Sequence, residues 1–195
     1  ISISGDHELN QVFFDDVRVP ASGLIGEENQ GWTVAKYLLA HERGGAWAPL
    51  LRARLRRLRE AANHAFSAAG DAAAQEAGEM AIKLAALDCD IDALEATELQ
   101  SLRAQVRGEP PGIRPSMGKL LGSELRQRLT ELGVEVAGHY AAVSLPLDDG
   151  LQGSLALPED SVYAMSAYLN DRAASIYAGT NEVQRNIIAA HLLGR

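Results

Sequence analysis

Cysteine, aromatic side chains and positive charge are all scarce in this sequence of 195 residues. Cys89 is the one cysteine, which excludes a disulfide within the chain and a metal site built from several thiolates. Aromatic residues make up 5% of the sequence while Ala, Leu and Glu are abundant, and this balance favours helices over a sheet. The formal net charge of −8 argues against a nucleic-acid-binding surface, which is normally basic.

Long apolar runs are also missing. No segment approaches the ~18 apolar residues that a membrane span needs, and no signal peptide is visible, so we expect a cytoplasmic protein. The sequence begins without Met in a β-like stretch, which we interpret as the C-terminal piece of a longer protein. We expect Cys89 to lie in or near the core, and the arginine-rich residues 52–60 to form a solvated or subunit-bridging helix face.

The hydrophobic period changes at about residue 30. Residues 1–30 are typical of strands and turns, whereas from Gly31 onward apolar residues recur at three- and four-residue steps. Pro49 is expected to kink the first helix or to begin a new one. The first apolar stripe includes Trp32, Leu38 and Leu50. The helix predicted after a stop at residues 70–71 ends near Gly108, and its stripe is Met80, Leu84, Leu87, Ile91, Leu94, Glu98 and Leu102. Further helices are predicted over residues 117–137, from about residue 159, and over residues 181–193. The pattern predicts an all-α fold, a four-helix-type up-down bundle with an extra C-terminal helix, preceded by a short β remnant.

Three blocks of sequence resemble the acyl-CoA dehydrogenase family. They are "VFFDDVRVPASGLIGEENQGW" at residues 12–32, "LLAHERG" at residues 38–44, and "YLNDRAASIYAGTNEVQRNIIAAHLLG" at residues 168–194. Their order and spacing match the family over nearly the whole chain, although residues from about 50 to 156 diverge. The resemblance implies that residues 1–30 are the end of the family's middle β-domain with its linker. Residues 31–195 would then be its C-terminal helical bundle domain.

The resemblance also implies a reaction, the FAD-dependent α,β-dehydrogenation of an acyl-CoA thioester to the trans-2-enoyl-CoA. In this family a carboxylate removes the α-proton, the β-hydride goes to FAD, and the electrons pass to an electron-transfer flavoprotein. Burial raises the pKa of a carboxylate and makes it a stronger base at neutral pH. The expected cofactor is therefore FAD, and the expected partners are an acyl-CoA substrate and an electron-transfer flavoprotein.

The catalytic base is the point on which the family divides. Many members carry it in "Y-E-G-T", where this sequence has Ala178 in "IYAGT". A second branch, which includes isovaleryl-CoA dehydrogenase, keeps the base in an "E-R" motif on the long helix, and Glu42 of "AHERGG" matches that position. Glu42 also shares a predicted helix face with apolar residues, where an unpaired carboxylate would be costly. The alternative is a structural ion pair with Arg43 or a distant arginine.

Other site residues follow from the same motifs. Arg43 would line the acyl-CoA site, or alternatively form a salt bridge on the helix surface. Tyr177 and Gly179 match positions next to the thioester, where a glycine permits close approach. Thr180, Asn181 and Glu182 match positions that contact the flavin, at the start of a helix whose free N–H groups favour a polar ligand. Thr180 can also serve as a plain N-cap.

Two features of the family are replaced. An "R-x-x-F-G" segment, whose arginine reaches the flavin pyrophosphate of a neighbouring subunit, corresponds here to "NHAFSAAGD" at residues 63–71. The family's "Q-x-x-G-G" is matched by "EVAGH" at residues 135–139, and an acid facing a pyrophosphate would repel it. We therefore expect an oligomer, and hypothesise a hetero-oligomer in which a related subunit supplies those contacts. Residues 145–160 could be an interface element or an exposed loop.

Three other functions remain open at this point. One is a non-catalytic paralogous subunit of a hetero-oligomeric acyl-CoA dehydrogenase, against which the retained Glu42 counts. Another is a related flavoenzyme on the same scaffold, such as an oxidase, which reactivity with oxygen would distinguish. A helical bundle without a ligand is the last, and it leaves the ordered motifs unexplained. The small residues that follow Glu42 leave room for a branched or bulky acyl group, such as a sterol side-chain thioester.

Overall fold

The computed structural model describes residues 1–42, 46–69, 73–142 and 163–194, with the side chains of residues 40–42, 68 and 69 outside this description. These ranges contain six α-helices and no strand. The helices are α1 Gly31–Glu42, α2 Ala48–Ala69, α3 Ala74–Val106, α4 Arg114–Ala137, α5 Ala164–Asp171 and α6 Asn181–Leu192. The predicted all-α fold is confirmed. The loop of residues 145–160, and the predicted helix start near residue 159, lie outside the described residues.

Residues 1–30 do not form the β-strands that their sequence pattern predicts. They run without a ladder partner, apart from a single 3-10 turn at Ala21–Gly23. A strand is stabilised by hydrogen bonds to a neighbouring strand, and the described chain provides none. Phe13 and Phe14 are largely exposed here. The Ser166 hydroxyl donates to the carbonyl of Ser4 at 2.9 Å, so the first residues contact α5.

Proline and glycine set the helix boundaries. Pro49 occupies the first turn of α2, where its missing N–H costs nothing, so it begins a new helix as predicted. The third helix stops at Gly108, whose φ of 73° lets the chain turn back while the Glu109 N–H donates to the Ala104 carbonyl. Gly138, with φ of 54°, ends α4. Local chemistry therefore accounts for where these helices begin and end.

The apolar core lies between α2, α3 and α4. Its buried members are Ala48, Leu51, Leu55, Leu58 and Ala62 from α2, Met80, Leu84, Leu87, Ile91 and Leu94 from α3, and Leu125, Leu129 and Leu132 from α4. The expectation for Cys89 was wrong, because this residue is exposed. It lies midway between Leu87 and Ile91 in sequence, and a two-residue step in a helix points to the opposite face. Trp32, Leu38, Leu50 and Leu102, all in the predicted apolar stripes, are exposed as well.

Ion pairs fix the antiparallel register of α2 against α3. Arg52 contacts Asp88, Asp92 and Glu95, and Arg59 contacts Asp88 at 2.8 Å. Much of the arginine-rich face is thus engaged within the chain rather than only solvated. Exposed pairs of this kind contribute about 0–1 kcal/mol each, so they specify the register more than they stabilise the fold.

Helix α4 is central, because it packs against α2, α3, α5 and α6. Its Leu125, Leu129 and Leu132 face the apolar core. Polar residues of the same helix contact the segment that joins α5 to α6. None of the described helices is long and apolar enough to span a membrane.

Candidate active site

The side chains of the predicted base, Glu42, and of its neighbour, Arg43, lie outside the described residues. Glu42 is the last residue of α1, whereas Arg43 lies outside the described residues altogether. The other predicted residues lie in residues 177–182, near the end of the chain, and contacts with α4 hold them.

The predicted substrate-binding loop has an unusual backbone conformation. Ala178 has φ of 55° and Gly179 has φ of 86°, so two consecutive residues are left-handed. Glycine adopts this region freely, whereas alanine pays about 1 kcal/mol for it. Tyr177 and Ala178 are exposed, so little packing covers this turn. A strained and exposed turn persists only where its surroundings over-determine it, and such turns concentrate at functional sites.

Thr180 ends the loop and begins α6. Its hydroxyl accepts a hydrogen bond from the Val183 N–H at 3.2 Å, so the predicted N-cap is confirmed. The exposed Glu182 carboxyl has a lowered pKa, because it accepts hydrogen bonds from its own backbone N–H and from the Thr180 hydroxyl. Both features show that the first turn of α6 favours negative charge and hydrogen-bond acceptors.

Asn181 is turned inward. It is 2% exposed, and its side-chain oxygen accepts hydrogen bonds from the Lys119 ammonium at 2.7 Å and the Ser123 hydroxyl at 3.0 Å. Because that oxygen is occupied, the side-chain NH2 group and the backbone of Asn181 are the parts left to contact a ligand at the start of α6. The predicted cofactor-binding role of Asn181 stays a prediction.

Four polar residues of α4 hold the segment that carries the loop. Lys119 also donates to the carbonyl of Ala174 at 3.1 Å. The Gln127 amide donates to the carbonyls of Asp171 and Arg172, at 3.0 and 3.2 Å, and contacts the Ser175 hydroxyl. The four residues, Lys119, Ser123, Arg126 and Gln127, recur at helical spacing and so form one face. We call this set the polar face of α4.

A buried carboxylate anchors the same segment. Asp171, 1% exposed, pairs with Arg126 of α4 and with Arg54 of α2, the latter at 3.2 Å. Burial lowers the pKa of Arg126, but the hydrogen bond and charge of Asp171 raise it by more, so its pKa lies above the usual value. Arg126 also donates to the Tyr177 hydroxyl at 3.3 Å. The predicted residue Tyr177 is therefore tied to the bundle through a buried ion pair.

The start of α2 is held from α3. The Glu98 carboxylate accepts hydrogen bonds from the backbone N–H groups of Trp47 and Ala48, at 2.6 and 3.2 Å. An acid at a helix N-terminus satisfies free donors and complements the helix dipole. The Trp47 ring lies against Gly122 so closely that an added Cβ would fall 2.4 Å from it. Glu98 and Gly122 together fix where the chain re-enters the bundle after Glu42.

A second site gathers the two replaced motifs. A groove of about 1300 Å³ is lined by His64 and Phe66 and by residues 135–139, together with parts of α2, α3 and α5. The Glu135 carboxylate lies in an ion pair with Lys83 across this region. Described residues of the segments that correspond to "R-x-x-F-G" and "Q-x-x-G-G" therefore line one groove. A carboxylate stands where an amide donor would be needed.

Several residues of this arrangement were missed in the sequence. Lys119, Arg126, Asp171 and Glu98 were not predicted as functional or structural polar contacts. A signal for the polar face of α4 does exist, since its members repeat at three- and four-residue steps opposite the leucines of that helix. Glu98 had a signal as well, because it continues the apolar stripe of α3 four residues after Leu94, where a carboxylate needs a partner.

Comparison with known proteins agrees with this arrangement. The profile of the family described as "Acyl-CoA dehydrogenase, C-terminal domain" matches residues 29–193. Acyl-CoA dehydrogenase IpdE1 of Mycolicibacterium smegmatis is 33% identical over 196 residues, covering 98% of this chain and 44% of that protein. IpdE1 of Mycobacterium tuberculosis is 31% identical over 195 residues, covering 100% of this chain and 46% of that protein. The chain spans about half the length of these relatives.

The fold has a counterpart among solved structures. The chain superposes on a chain of the ChsE4-ChsE5 complex from Mycobacterium tuberculosis with a TM-score of 0.71 and 27% identity. The match covers 94% of this chain and 45% of that one. The helical arrangement described above is thus similar to part of a longer protein that forms a complex of two differently named chains.

Proposed function

The chain belongs to the acyl-CoA dehydrogenase family, and from this premise we propose that it is the C-terminal helical domain of an FAD-dependent acyl-CoA dehydrogenase. The substrate is an acyl-CoA thioester, the product is the trans-2-enoyl-CoA, and an electron-transfer flavoprotein receives the electrons. Residues 31–195 form the helical bundle domain, and residues 1–30 end a middle β-domain. The unpaired state of residues 1–30 supports this division, because their apolar side chains have no sheet to pack on here.

The observation that carries the proposal is the loop at residues 176–180. It is strained and exposed, it contacts Arg126 of α4 through Tyr177, and buried hydrogen bonds from Lys119 hold the residues on either side of it. It presents Ala178 where many members of the family carry the base. Since alanine cannot accept a proton, the base comes from elsewhere, and Glu42 at the end of α1 is our candidate. Its carboxylate takes the α-proton of the thioester. Arg43 and Tyr177 line the acyl-CoA site, and Gly179 allows close approach of the ligand.

The residues at the start of α6 fit a flavin. The first N–H groups of a helix lack partners within the helix and favour acceptor groups, and the lowered pKa of the Glu182 carboxyl supports this for α6. Thr180, the backbone of Asn181, and Glu182 would hold the cofactor there. FAD, when bound, supplies the acceptor for the hydride that leaves the β-carbon.

The groove at residues 135–139 does not fit the pyrophosphate of a neighbour's flavin. Glu135 carries a negative charge and pairs with Lys83, one of the cations that line this groove. Bringing a pyrophosphate there would break that pair and oppose two like charges. We therefore propose a hetero-oligomer with a related subunit that supplies these contacts. The likeness to a chain of a complex between two different proteins supports it.

Flavin bleaching tests the assignment of the base. The full-length protein, with its paralogous partner and FAD, would be mixed anaerobically with straight-chain, branched and sterol side-chain acyl-CoA thioesters. Glu42→Gln is expected to abolish bleaching by a thioester that bleaches the wild type. Glu60→Gln, which changes an exposed glutamate of α2, is the matched control and should bleach normally. Bleaching that survives in Glu42→Gln would place the base elsewhere.

The subunit composition tests the second part of the proposal. Native mass spectrometry and flavin absorbance should give fewer FAD molecules than subunits in the complex. A homotetramer of this protein alone with one FAD per subunit would contradict the hetero-oligomer. A complex that binds FAD but is not bleached by any thioester would favour the alternative, a non-catalytic paralogous subunit. The replaced contact at Glu135 is what gives that alternative its support.

A further inference from the structure

Lys119 contacts both ends of the strained loop. It lies on α4, is 2% exposed, and donates to the Ala174 carbonyl at 3.1 Å and to the Asn181 side-chain oxygen at 2.7 Å. Ala174 precedes the loop, and Asn181 follows it as the first residue of α6. A single ammonium group therefore fixes the separation of the two points from which residues 175–180 project.

The loop needs such a restraint. Its Ala178 is held in a left-handed conformation that an unrestrained alanine avoids. Exposed Ile176 and Tyr177 provide little packing against the bundle. Strain of this kind persists only when contacts elsewhere outweigh it. Polar contacts to α4 are what the described structure offers for that purpose.

Lys119 depends on the loop as much as the loop depends on Lys119. An ammonium group is expensive to bury unless it is hydrogen-bonded, so Lys119 stabilises only those arrangements that keep its acceptors in place. A packing role alone would be filled as well by an apolar side chain of similar length. The Ser123 hydroxyl, one turn further along α4, reaches the same oxygen of Asn181 at 3.0 Å. The same hydroxyl also lies 3.0 Å from the Leu120 carbonyl, so its one proton serves either acceptor, and Lys119 is the main donor to Asn181 at the start of α6.

We propose that Lys119 is a positioning residue that clamps the two ends of residues 175–180, and so sets the conformation in which Tyr177 and Thr180 face their ligands. Its catalytic consequence rests on the proposed function, since only that function gives the loop a thioester and a flavin to contact. The clamp itself depends on contacts within the helical bundle and needs no ligand. The two parts can therefore fail separately.

Hydrogen exchange of the full-length protein tests the clamp without any substrate. The amide groups of Tyr177, Val183 and Gln184, which donate to Ala173 and Thr180, report on the loop and the cap. Lys119→Met keeps the length of the side chain and removes the charge. Leu84→Ala, a core substitution on α3 away from the loop, is the control for lost global stability. Ser123→Ala is a milder second variant in case Lys119→Met does not fold.

We expect these amides to exchange about tenfold faster in Lys119→Met than in Leu84→Ala, when the two variants are compared under conditions that give them the same free energy of unfolding. Under those conditions the amides of α2 and α3 should exchange at the same rate in both variants. Ser123→Ala should shift the same amides by a smaller factor. Equal exchange in the loop for Lys119→Met and the control overturns the clamp, as does a change spread evenly over the bundle. The rate of flavin reduction by a thioester that bleaches the wild type should also fall more in Lys119→Met than in the control. Equal rates of flavin reduction in Lys119→Met and Leu84→Ala would overturn the proposal that the clamp affects catalysis.

Discussion

The two sides of α4 use different physics to hold their neighbours. On one side, Leu125, Leu129 and Leu132 pack into an apolar core shared with α2 and α3. On the other side, its polar face holds the segment between α5 and α6 through buried hydrogen bonds and an ion pair. Apolar packing is roughly proportional to the area buried and has little directionality. Buried polar contacts are directional, and a buried polar group that loses its partner costs free energy, so these contacts specify one conformation.

This difference suits what each side supports. The apolar side joins long regular helices, which need stability but no particular loop geometry. The polar side supports a strained, exposed loop whose conformation is unfavourable by itself. The substitutions below test the contrast, from the largest expected effect to the smallest.

Leu87→Ala is expected to have the largest effect on stability. Leu87 is 0% exposed in the apolar core, and truncating such a residue typically costs about 2–5 kcal/mol. Leu87→Met conserves volume and should cost less than about 1.5 kcal/mol. Urea denaturation of the full-length protein measures both. Equal losses of unfolding free energy in the two variants would show that the core requires one particular side-chain shape, as the polar side requires particular partners.

Asp171→Ala tests the buried ion pair on the polar side. It leaves the Arg126 guanidinium partly buried without its carboxylate, and breaking a buried pair in this way costs about 3 kcal/mol. The matched control is Asp90→Ala, which removes an exposed pair between Asp90 and Arg128 and should cost at most about 1 kcal/mol. A small loss for Asp171→Ala in thermal denaturation would mean that water replaces the carboxylate, and the contrast between the two sides would weaken.

Gly122→Ala tests the point where α4 touches Trp47, the residue before α2. An added Cβ would lie 2.4 Å from the Trp47 ring, and Trp47 cannot easily move because Glu98 accepts a hydrogen bond from its backbone N–H. We therefore expect the free energy of unfolding to fall by about 1–3 kcal/mol. The control is Gly133→Ala in the same helix. An added Cβ meets nothing within 4 Å there, and the higher helix propensity of alanine should stabilise the protein by about 0.5–1 kcal/mol. Changes of the same sign in the two variants would contradict the close contact.

Gln184→Met should have the smallest effect, and its sign is informative. Gln184 on α6 is 0% exposed, and neither polar atom of its side chain has a hydrogen-bond partner among the described residues. Removing an unsatisfied buried amide should raise the free energy of unfolding by about 1 kcal/mol. Differential scanning calorimetry gives the direction. A lower Tm would instead show that a buried water molecule satisfies the amide and extends the polar side.

Much of the framework could be predicted from the sequence. The period of Met80, Leu84, Leu87, Ile91 and Leu94 predicted the buried stripe of α3, and the structure buries all five. Pro49, Gly108 and Thr180 marked helix boundaries correctly, because capping and backbone restriction act within a few residues. The same local reasoning failed for Cys89 and Leu102. Both lie on α3, but its period does not reveal how far the partner helices extend over each face.

The sequence by itself determined the helices, their ends and the family. These follow from periodicity, from turn chemistry, and from motifs read in order along the chain. Only the tertiary structure decided that Lys119 and Asn181, 62 positions apart, share a hydrogen bond, and that Glu98 caps a helix about 50 residues away. Such pairs depend on helix register and depth of burial. An exposed polar residue and a buried, fully bonded one carry the same letter in the sequence, and the packing of the other helices decides between them.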